Sequence, residues 1–268
     1  SPYSLFDTLG STERPDVAAS LMLTGRIIIL VDGTPTAISL PFLFEEYFIT
    51  NEDYYINFYF STTSRLIRII SFIITVLAPG FYVAILTFHQ EMIPSPLIYS
   101  LSSAREGIPF PTIVETLGLL FVFEILREAG LRMTLQMGQS ISILGALVLG
   151  SAAVEARIVS APVIIVIAIS GLTGLMTLKI KGASIIIRLI LVLLAGFMGL
   201  YGMVFGIIAI VLHLCSLRSF GVPYLLSLTS LEPGDIKDTV IRAPLWFLKK
   251  RPGFISGENK EKIGDKNE

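Results

Sequence analysis

Long apolar runs dominate the middle of this 268-residue chain, from about Leu66 to Leu217. This stretch holds only 14 charged residues, although the chain has 20 Lys and Arg and 21 Asp and Glu. An apolar run of about 20 residues can cross the hydrocarbon core of a bilayer as an α-helix. The runs lack the two-residue alternation of barrel strands, so the pattern predicts membrane helices.

Five apolar runs define the predicted segments: about Leu66–His89, Thr112–Ala129, Gly138–Val154, Ile158–Leu178 and Ser184–Leu217. The last run would extend about 50 Å as a single helix. It is therefore either a hairpin that turns near Gly199–Gly202 or one helix that leaves the membrane. The predicted fold class is an all-α polytopic membrane domain of about six membrane segments, with four to six possible.

The flanks have the character of water-exposed structure. In residues 1–60, a β-branched run (Ile27–Val31) is followed by Asp32-Gly33 and a second strand-like run (Thr36–Leu40). An Asp-Gly pair between such runs is typical of a β-hairpin. We therefore predict that residues 1–60 are the end of an α/β soluble domain and a connector, and that the chain is a fragment whose preceding domain is missing. Residues 61–220 are the predicted transmembrane domain.

Residues 221–268 are a predicted cytoplasmic tail. The stretch Asp235–Arg251 places Trp246 beside a basic cluster, which predicts an amphipathic piece at the lipid headgroups. Residues 253–268 are rich in polar residues and glycine, a composition that predicts disorder. With six crossings and both termini cytoplasmic, most cations at the segment ends lie on the cytoplasmic side, as the positive-inside rule requires, and Arg105 and Arg157 lie opposite.

Composition excludes several function classes. The formal net charge of −1 provides no basic excess for nucleic acid. One cysteine and two histidines give no metal-ligand pattern, and no phosphate-binding glycine motif is present. We therefore expect no cofactor, no metal site and no catalytic residues, and a protein that is not an enzyme.

Charged and helix-breaking residues inside the apolar runs are the candidates for function. Carboxylates at membrane depth usually face a bundle interior, a partner or a water path. The residues that we predict in an ion path or its gating are Glu91, Glu115, Glu124, Arg105, Arg127, Pro79 and Gly80. Local pairing is the plainer interpretation of each carboxylate, since Glu124 and Arg127 are i,i+3 neighbours.

Glycines at Gly199, Gly202 and Gly206 form the predicted helix-packing face, because small residues let helices approach closely in lipid. Two interpretations stay open for this face, simple packing and a seam that shifts during gating.

Several distinctive motifs follow one another along the chain: Phe88–Pro94, Ala104–Pro111, Phe123–Arg132, Ser142–Gly150 and Ile241–Trp246. In this order they resemble the A subunit of GerA-type spore germinant receptors. The resemblance runs from about residue 10 to residue 252. Arg157 departs from it, since a small residue is expected at that position.

The resemblance implies a function that the residues alone do not reveal. Such subunits lie in the inner membrane of endospores and assemble with a transporter-like B subunit and a lipoprotein C subunit. Together they sense nutrients and trigger germination, and the A subunit is thought to form a homo-oligomeric, ligand-gated channel for monovalent cations in contact with membrane lipid. Two alternatives are a non-conducting scaffold for a nutrient-binding partner and a secondary transporter, although no internal repeat supports the latter.

Overall fold

The structure is a computed structural model that describes residues 4–132, 148–226 and 242. The chain divides into two compact units. Unit 1 comprises Ser1–Ile70 and Ile210–Glu268, and unit 2 comprises Ser71–Ala209. The predicted amphipathic and disordered tail pieces lie outside the described residues, as does most of the predicted segment Gly138–Val154.

The described part contains seven α-helices, two short antiparallel sheets and several turns of 3-10 or π helix. The α-helices are α1 (Pro15–Leu23), α2 (Phe58–Phe88), α3 (Ser95–Arg105), α4 (Thr112–Arg132), α5 (Ala153–Glu155), α6 (Ala161–Leu175) and α7 (Lys181–Ser216). The strands are β1 (Gly10–Thr12), β2 (Ile27–Leu30), β3 (Ala37–Leu40), β4 (Arg218–Ser219) and β5 (Val222–Pro223). The 3-10 turns are Phe44–Tyr47, Asn51–Tyr54, Gln90–Met92 and Leu178–Ile180, and a π turn spans Val148–Ala152.

Unit 1 is built on a three-stranded antiparallel sheet in the order β1-β3-β2. β2 and β3 pair in the register Ile27↔Leu40 to Leu30↔Ala37, so the predicted hairpin around Asp32-Gly33 is confirmed. β3 is the central strand, and its Ala37, Ser39 and Leu40 are buried.

Aromatic side chains fill the core of unit 1. Phe44 contacts Phe6 and Tyr47 edge-on, with ring centroids 5.9 and 6.1 Å apart. Tyr224, which follows β5, is fully buried against the same group and donates a 2.7 Å hydrogen bond to the Asp7 carbonyl. The residues before the apolar stretch and those after it therefore share one core.

The predicted fold class, an all-α domain of about six membrane segments, is wrong. Among the described residues, only two helices are long and apolar enough to cross a membrane. They are Phe58–Phe88, which is α2, and Leu178–Ser216, which is α7 with the 3-10 turn before it and which changes direction at Gly199. Five short strands also belong to the described chain.

Two physical features explain why the chain has more apolar runs than helices that could span a membrane. α4 is long enough at 21 residues, but it carries three glutamates and two arginines. α6 has 15 residues and is therefore only about 22 Å long, short of the roughly 30 Å of a hydrocarbon core. One side of these two helices packs inside unit 2, where Leu120, Val163 and Ile167 join one core.

Four helical stretches pack together in unit 2. α4 and α6 run parallel, because Glu115 meets Ser160 near their starts and Phe123 meets Gly171 farther along. α2 is antiparallel to α6, since Ser71 contacts Met176 and Thr75 contacts Thr173. Polar side chains from three different helices are therefore brought to the same depth in the unit.

α7 folds back on itself at Gly199. This residue has φ 61° and ψ −142°, a combination that only glycine adopts readily. A Cβ on Gly206 would lie 2.6 Å from Leu191 Cδ2, and one on Gly202 would collide with the Leu194 carbonyl oxygen. Residues 181–198 and 200–216 are thus two antiparallel arms, which is the hairpin alternative of the two interpretations of the last apolar run.

Candidate ion-pair site in the helical unit

A buried group of charged and polar side chains joins α4, α6 and α7 inside unit 2. The Glu124 carboxylate of α4 forms ion pairs with Arg188 of α7 and with Arg127, whose Nη2 lies 2.5 Å from Oε2. Arg188 Nη1 donates a 3.1 Å hydrogen bond to the Ser170 hydroxyl of α6. We call Glu124, Arg127, Ser170 and Arg188 the Glu124 cluster.

Pro79 connects α2 to the same cluster. Proline has no amide hydrogen, so the Thr75 carbonyl four residues earlier lacks its usual helical donor. The Ser170 hydroxyl donates to this carbonyl over 2.8 Å. Because a neighbouring helix satisfies the freed carbonyl, α2 continues as a helix through Pro79 and Gly80.

The charges in the Glu124 cluster do not balance. One carboxylate faces two guanidinium groups, which leaves one formal positive charge in a region where Arg188 is 1% exposed. The Nε atoms of Arg127 and Arg188 also have no hydrogen-bond partner among the described residues. An uncompensated buried charge is costly, so the cluster depends strongly on Glu124.

A second group, the Glu115 cluster, lies at the start of α4 and consists of Arg105, Thr112, Glu115 and Ser160. Arg105 Nη2 lies 3.8 Å from Glu115 Oε2, and its Nη1 donates to the Thr112 hydroxyl. The Ser160 backbone amide donates to the other carboxylate oxygen of Glu115. Glu115 is 3% exposed, so its charge is neutralised by Arg105 and not by water.

Unit 1 holds its own buried ion pair. Arg68 donates to both oxygens of Asp53, at 2.6 and 2.8 Å, and Arg65 Nε donates over 3.3 Å. Burial would raise the pKa of Asp53, but hydrogen bonds from Arg68 and from Thr50 outweigh this effect and lower the pKa to about 2. Arg242 also packs in this unit and donates to the backbone carbonyls of Ile56 and Tyr54 at 2.5 and 2.9 Å.

The structure groups some of the predicted ion-path residues and separates others. Glu115 lies with Arg105, and Glu124 lies with Arg127, as described above. Gly80 packs against the backbone of Leu191, since a Cβ on Gly80 would lie 3.4 Å from the Leu191 carbonyl oxygen. Glu91 is exposed, in the 3-10 turn after α2, and belongs to neither cluster.

Sequence reasoning missed Arg188 and Ser170, which belong to the Glu124 cluster, and Thr75, whose carbonyl accepts a hydrogen bond from Ser170. The sequence assigns Arg188 to the cationic end of a membrane segment, whereas the structure places it inside unit 2 against Glu124. The sequence did contain an indication of its role, since Arg188 is the single charged residue between Gly182 and Leu217.

Among the described residues, no group of three His, Cys, Asp or Glu could hold a metal ion.

Comparison with known proteins identifies the family. The family model for Bacillus/Clostridium GerA spore germination protein matches residues 1–254. The chain belongs to the GerA family. This confirms the resemblance seen in the sequence motifs.

Relatives of this GerA-family chain include spore germination protein KA of Bacillus subtilis (strain 168), which is 44% identical over 98% of the chain and 48% of its own length. The uncharacterized membrane protein YfkQ of the same organism is 43% identical over 97% of the chain and 51% of its own length. Spore germination protein GerLA of Bacillus cereus is 40% identical over 94% of the chain and 52% of its own length.

The chain spans about half the length of these relatives. No solved structure matches it significantly. The two long apolar helices, together with a relative that is named a membrane protein, indicate that this GerA-family chain associates with a membrane.

Proposed function

We propose that this chain is the A subunit of a spore nutrient receptor, and that it oligomerises into a ligand-gated cation channel. The observation that carries the proposal is the Glu124 cluster, in which ionisable side chains from apolar helices meet inside the helical unit. Ionisable groups among membrane helices are costly and generally mark ion paths or switches. In this proposal the chain acts as a receptor and not as an enzyme.

The described arrangement corresponds to a closed state. Glu124 and Glu115 are both paired with arginines, so neither carboxylate is available to a passing cation. Opening requires Glu124 to separate from Arg188, which frees a negative charge in the path. Pro79 removes one backbone hydrogen bond from α2, and Gly199 has a non-helical backbone in α7, so a change of helix geometry costs least at these two positions.

The proposed setting is the inner membrane of the spore, with a transporter-like B subunit and a lipoprotein C subunit as partners. Residues up to Ile70 and from Ile210 onwards belong to one compact unit. This supports an arrangement with both flanks on the same side of the membrane, which we propose is the spore core side.

A non-conducting scaffold is the second candidate. It is favoured by the same pairing, because carboxylates that are permanently held by arginines can serve only to fix the helices. The scaffold predicts that the buried charges affect assembly and leave ion movement to a partner subunit.

Potassium efflux from liposomes distinguishes the two functions. The liposomes hold the full-length protein, with and without B and C subunits and candidate nutrients. A channel subunit gives nutrient-dependent efflux, which Glu91→Gln reduces at equal protein content because this exposed carboxylate lies at the end of α2. Glu155→Gln, an exposed carboxylate at the end of α5, is the matched control. Absence of efflux from folded, assembled complexes would favour the scaffold.

A further inference from the structure

A surface cavity of about 430 Å³ lies in unit 2, between the segment that joins α3 to α4 and the turn that precedes α6. Its volume is within the range of small-molecule sites, roughly 300–1,000 Å³. One part of the lining is polar, from Ser103, Glu106 and Arg157, and another is aliphatic, from Ile108, Val154 and Val159.

The two charged lining residues have opposite signs and free side chains. Within the described part of the chain, neither Glu106 nor Arg157 forms a side-chain hydrogen bond or an ion pair. The Arg157 guanidinium instead lies against the backbone beside Glu106, since a Cβ on Gly107 would be 2.8 Å from Arg157 Nη1. A carboxylate and a guanidinium thus face the same space without being joined to each other.

The backbone holds Arg157 in an unusual conformation. Its φ is 52°, in the left-handed region that residues with a Cβ rarely adopt. Hydrogen bonds from Arg157 N to the Val154 carbonyl, at 2.9 Å, and from Ile158 N to the Ala153 carbonyl, at 3.0 Å, fix this turn. Such conformations cluster at binding sites and switches.

The cavity lies level with the C-terminal end of α2. Thr173 of α6 contacts Thr75 of α2, and the two helices are antiparallel. From Thr173 back to Ser160, at the start of α6, a helix rises about 20 Å, and the same rise from Thr75 leads to Phe88, the last residue of α2. Because α2 is long and apolar enough to cross a bilayer, the cavity is then at the depth of the lipid headgroups.

Exposed apolar side chains surround this position. Leu97 and Tyr99 of α3, Phe110 after α3, and Ile158 beside Arg157 are all exposed. Tyrosine and other aromatic side chains are enriched where a membrane meets water, because one end of the ring is apolar and the other is polar. These side chains therefore favour contact between the rim of the cavity and lipid.

We propose that this cavity binds the headgroup of phosphatidylethanolamine. The phosphodiester anion pairs with the Arg157 guanidinium, whose planar donors suit two phosphate oxygens. The ammonium of the same headgroup pairs with Glu106, and the glycerol and first methylenes contact Ile108, Val154 and Val159. A headgroup that carries both charges satisfies both lining residues. Phosphatidylglycerol has no cation for Glu106, and the choline headgroup has no N–H donor.

The cavity adjoins the Glu115 cluster. Val159 lines the cavity, and the next residue, Ser160, donates its amide to Glu115. Arg105, which pairs with Glu115, directly precedes the lining residue Glu106. A bound headgroup therefore holds together the two segments that position Glu115. The site depends on α2 crossing a bilayer and not on ion conduction by the chain.

Native mass spectrometry of the full-length protein in detergent tests the site. The micelles hold equal amounts of dioleoyl phosphatidylethanolamine, phosphatidylcholine and phosphatidylglycerol. We expect one tightly bound phosphatidylethanolamine, with an affinity about tenfold above that of the other two lipids. Arg157→Gln should weaken its binding by about tenfold. Glu106→Gln should remove the preference over phosphatidylglycerol, and Glu155→Gln, an exposed carboxylate outside the lining, should change nothing.

Equal retention of the three lipids by folded protein would overturn the proposal, and so would a preference that both lining variants keep. Glycerophosphoethanolamine, which has the headgroup without acyl chains, tests the source of the ligand. Weaker binding of this soluble molecule would support a membrane lipid, and equal affinity would overturn it. Because the experiment measures no ion movement, its failure beside nutrient-dependent potassium efflux rejects the lipid site alone and leaves the channel intact.

Discussion

Pro79 and Ser170 lie on different helices, yet the hydrogen bond that Pro79 cannot donate to the Thr75 carbonyl comes from the Ser170 hydroxyl, at 2.8 Å. The same hydroxyl accepts a hydrogen bond from Arg188, which pairs with Glu124. The proline inside α2 is thereby linked, through one serine, to the buried charges of α4 and α7.

This relationship predicts that Pro79 and Ser170 are energetically coupled. Ser170→Ala leaves the buried Thr75 carbonyl without a donor and should cost about 1–3 kcal/mol of the free energy of unfolding. In a Pro79→Ala background, the restored amide hydrogen donates to the carbonyl, so the same change should cost clearly less. A double-mutant cycle in detergent measures the difference. Additive effects of the two substitutions would contradict the link.

The Glu124 cluster predicts an asymmetry between its members. Glu124→Gln leaves two buried guanidinium groups without a counter-charge and should destabilise the protein by about 3–5 kcal/mol. Arg188→Met leaves Glu124 paired with Arg127 and removes the excess positive charge, so it should cost less. Thermal unfolding in detergent compares them, and an equal or larger loss for Arg188→Met would show that the charge balance is unimportant.

The α7 hairpin predicts that Gly202 cannot accept even one methyl group. A Cβ at this position collides with the Leu194 carbonyl oxygen, which is backbone and cannot rotate away. We expect Gly202→Ala to cost about 1–3 kcal/mol. Gly118→Ala in α4 is the matched control, because nothing lies within 4 Å of the added methyl, and it should be neutral or slightly stabilising. Equal stability of both variants would argue against close contact of the two arms.

The lowered pKa of Asp53 predicts that the folded protein loses stability in acid. Its pKa in the folded protein is about 2, below the ordinary value of 3.8, so the folded state favours the ionised carboxylate. This contribution is fully present above about pH 4 and is lost as the pH falls towards 2, by about 2 kcal/mol. We expect Asp53→Asn to lower stability at pH 7 and to flatten this part of the curve. Thermal unfolding measures the stability of both proteins against pH. Parallel curves for the wild type and Asp53→Asn would exclude a stabilising ion pair between Asp53 and Arg68.

Local features of the structure were predictable from the sequence, whereas the number of membrane segments was not. The Asp32-Gly33 hairpin depends on neighbouring residues, and so does the Glu124–Arg127 pair on one helix face. Apolar composition, by contrast, does not distinguish a helix side buried against other helices from one in lipid. α6 therefore resembles a membrane segment in sequence although it is too short to span.

The partners of the candidate site were equally hidden. Arg188 lies 64 residues from Glu124, and only the packing of α7 against α4 brings them together. The role of Pro79 also depends on a serine 91 residues away in sequence. The sequence therefore predicts a kinked or loosened helix where the structure has a satisfied carbonyl.

The reversal potential of single-channel currents tests the central claim most directly. The full-length protein, with its partner subunits and a triggering nutrient, is placed in a planar bilayer under a potassium chloride gradient. We expect nutrient-dependent currents that reverse near the potassium equilibrium potential, because Glu124, once released from Arg188, gives the open path a negative charge. Reversal near the chloride potential would mean that the arginines control the path, and the absence of nutrient-dependent current from assembled complexes would contradict conduction by this subunit.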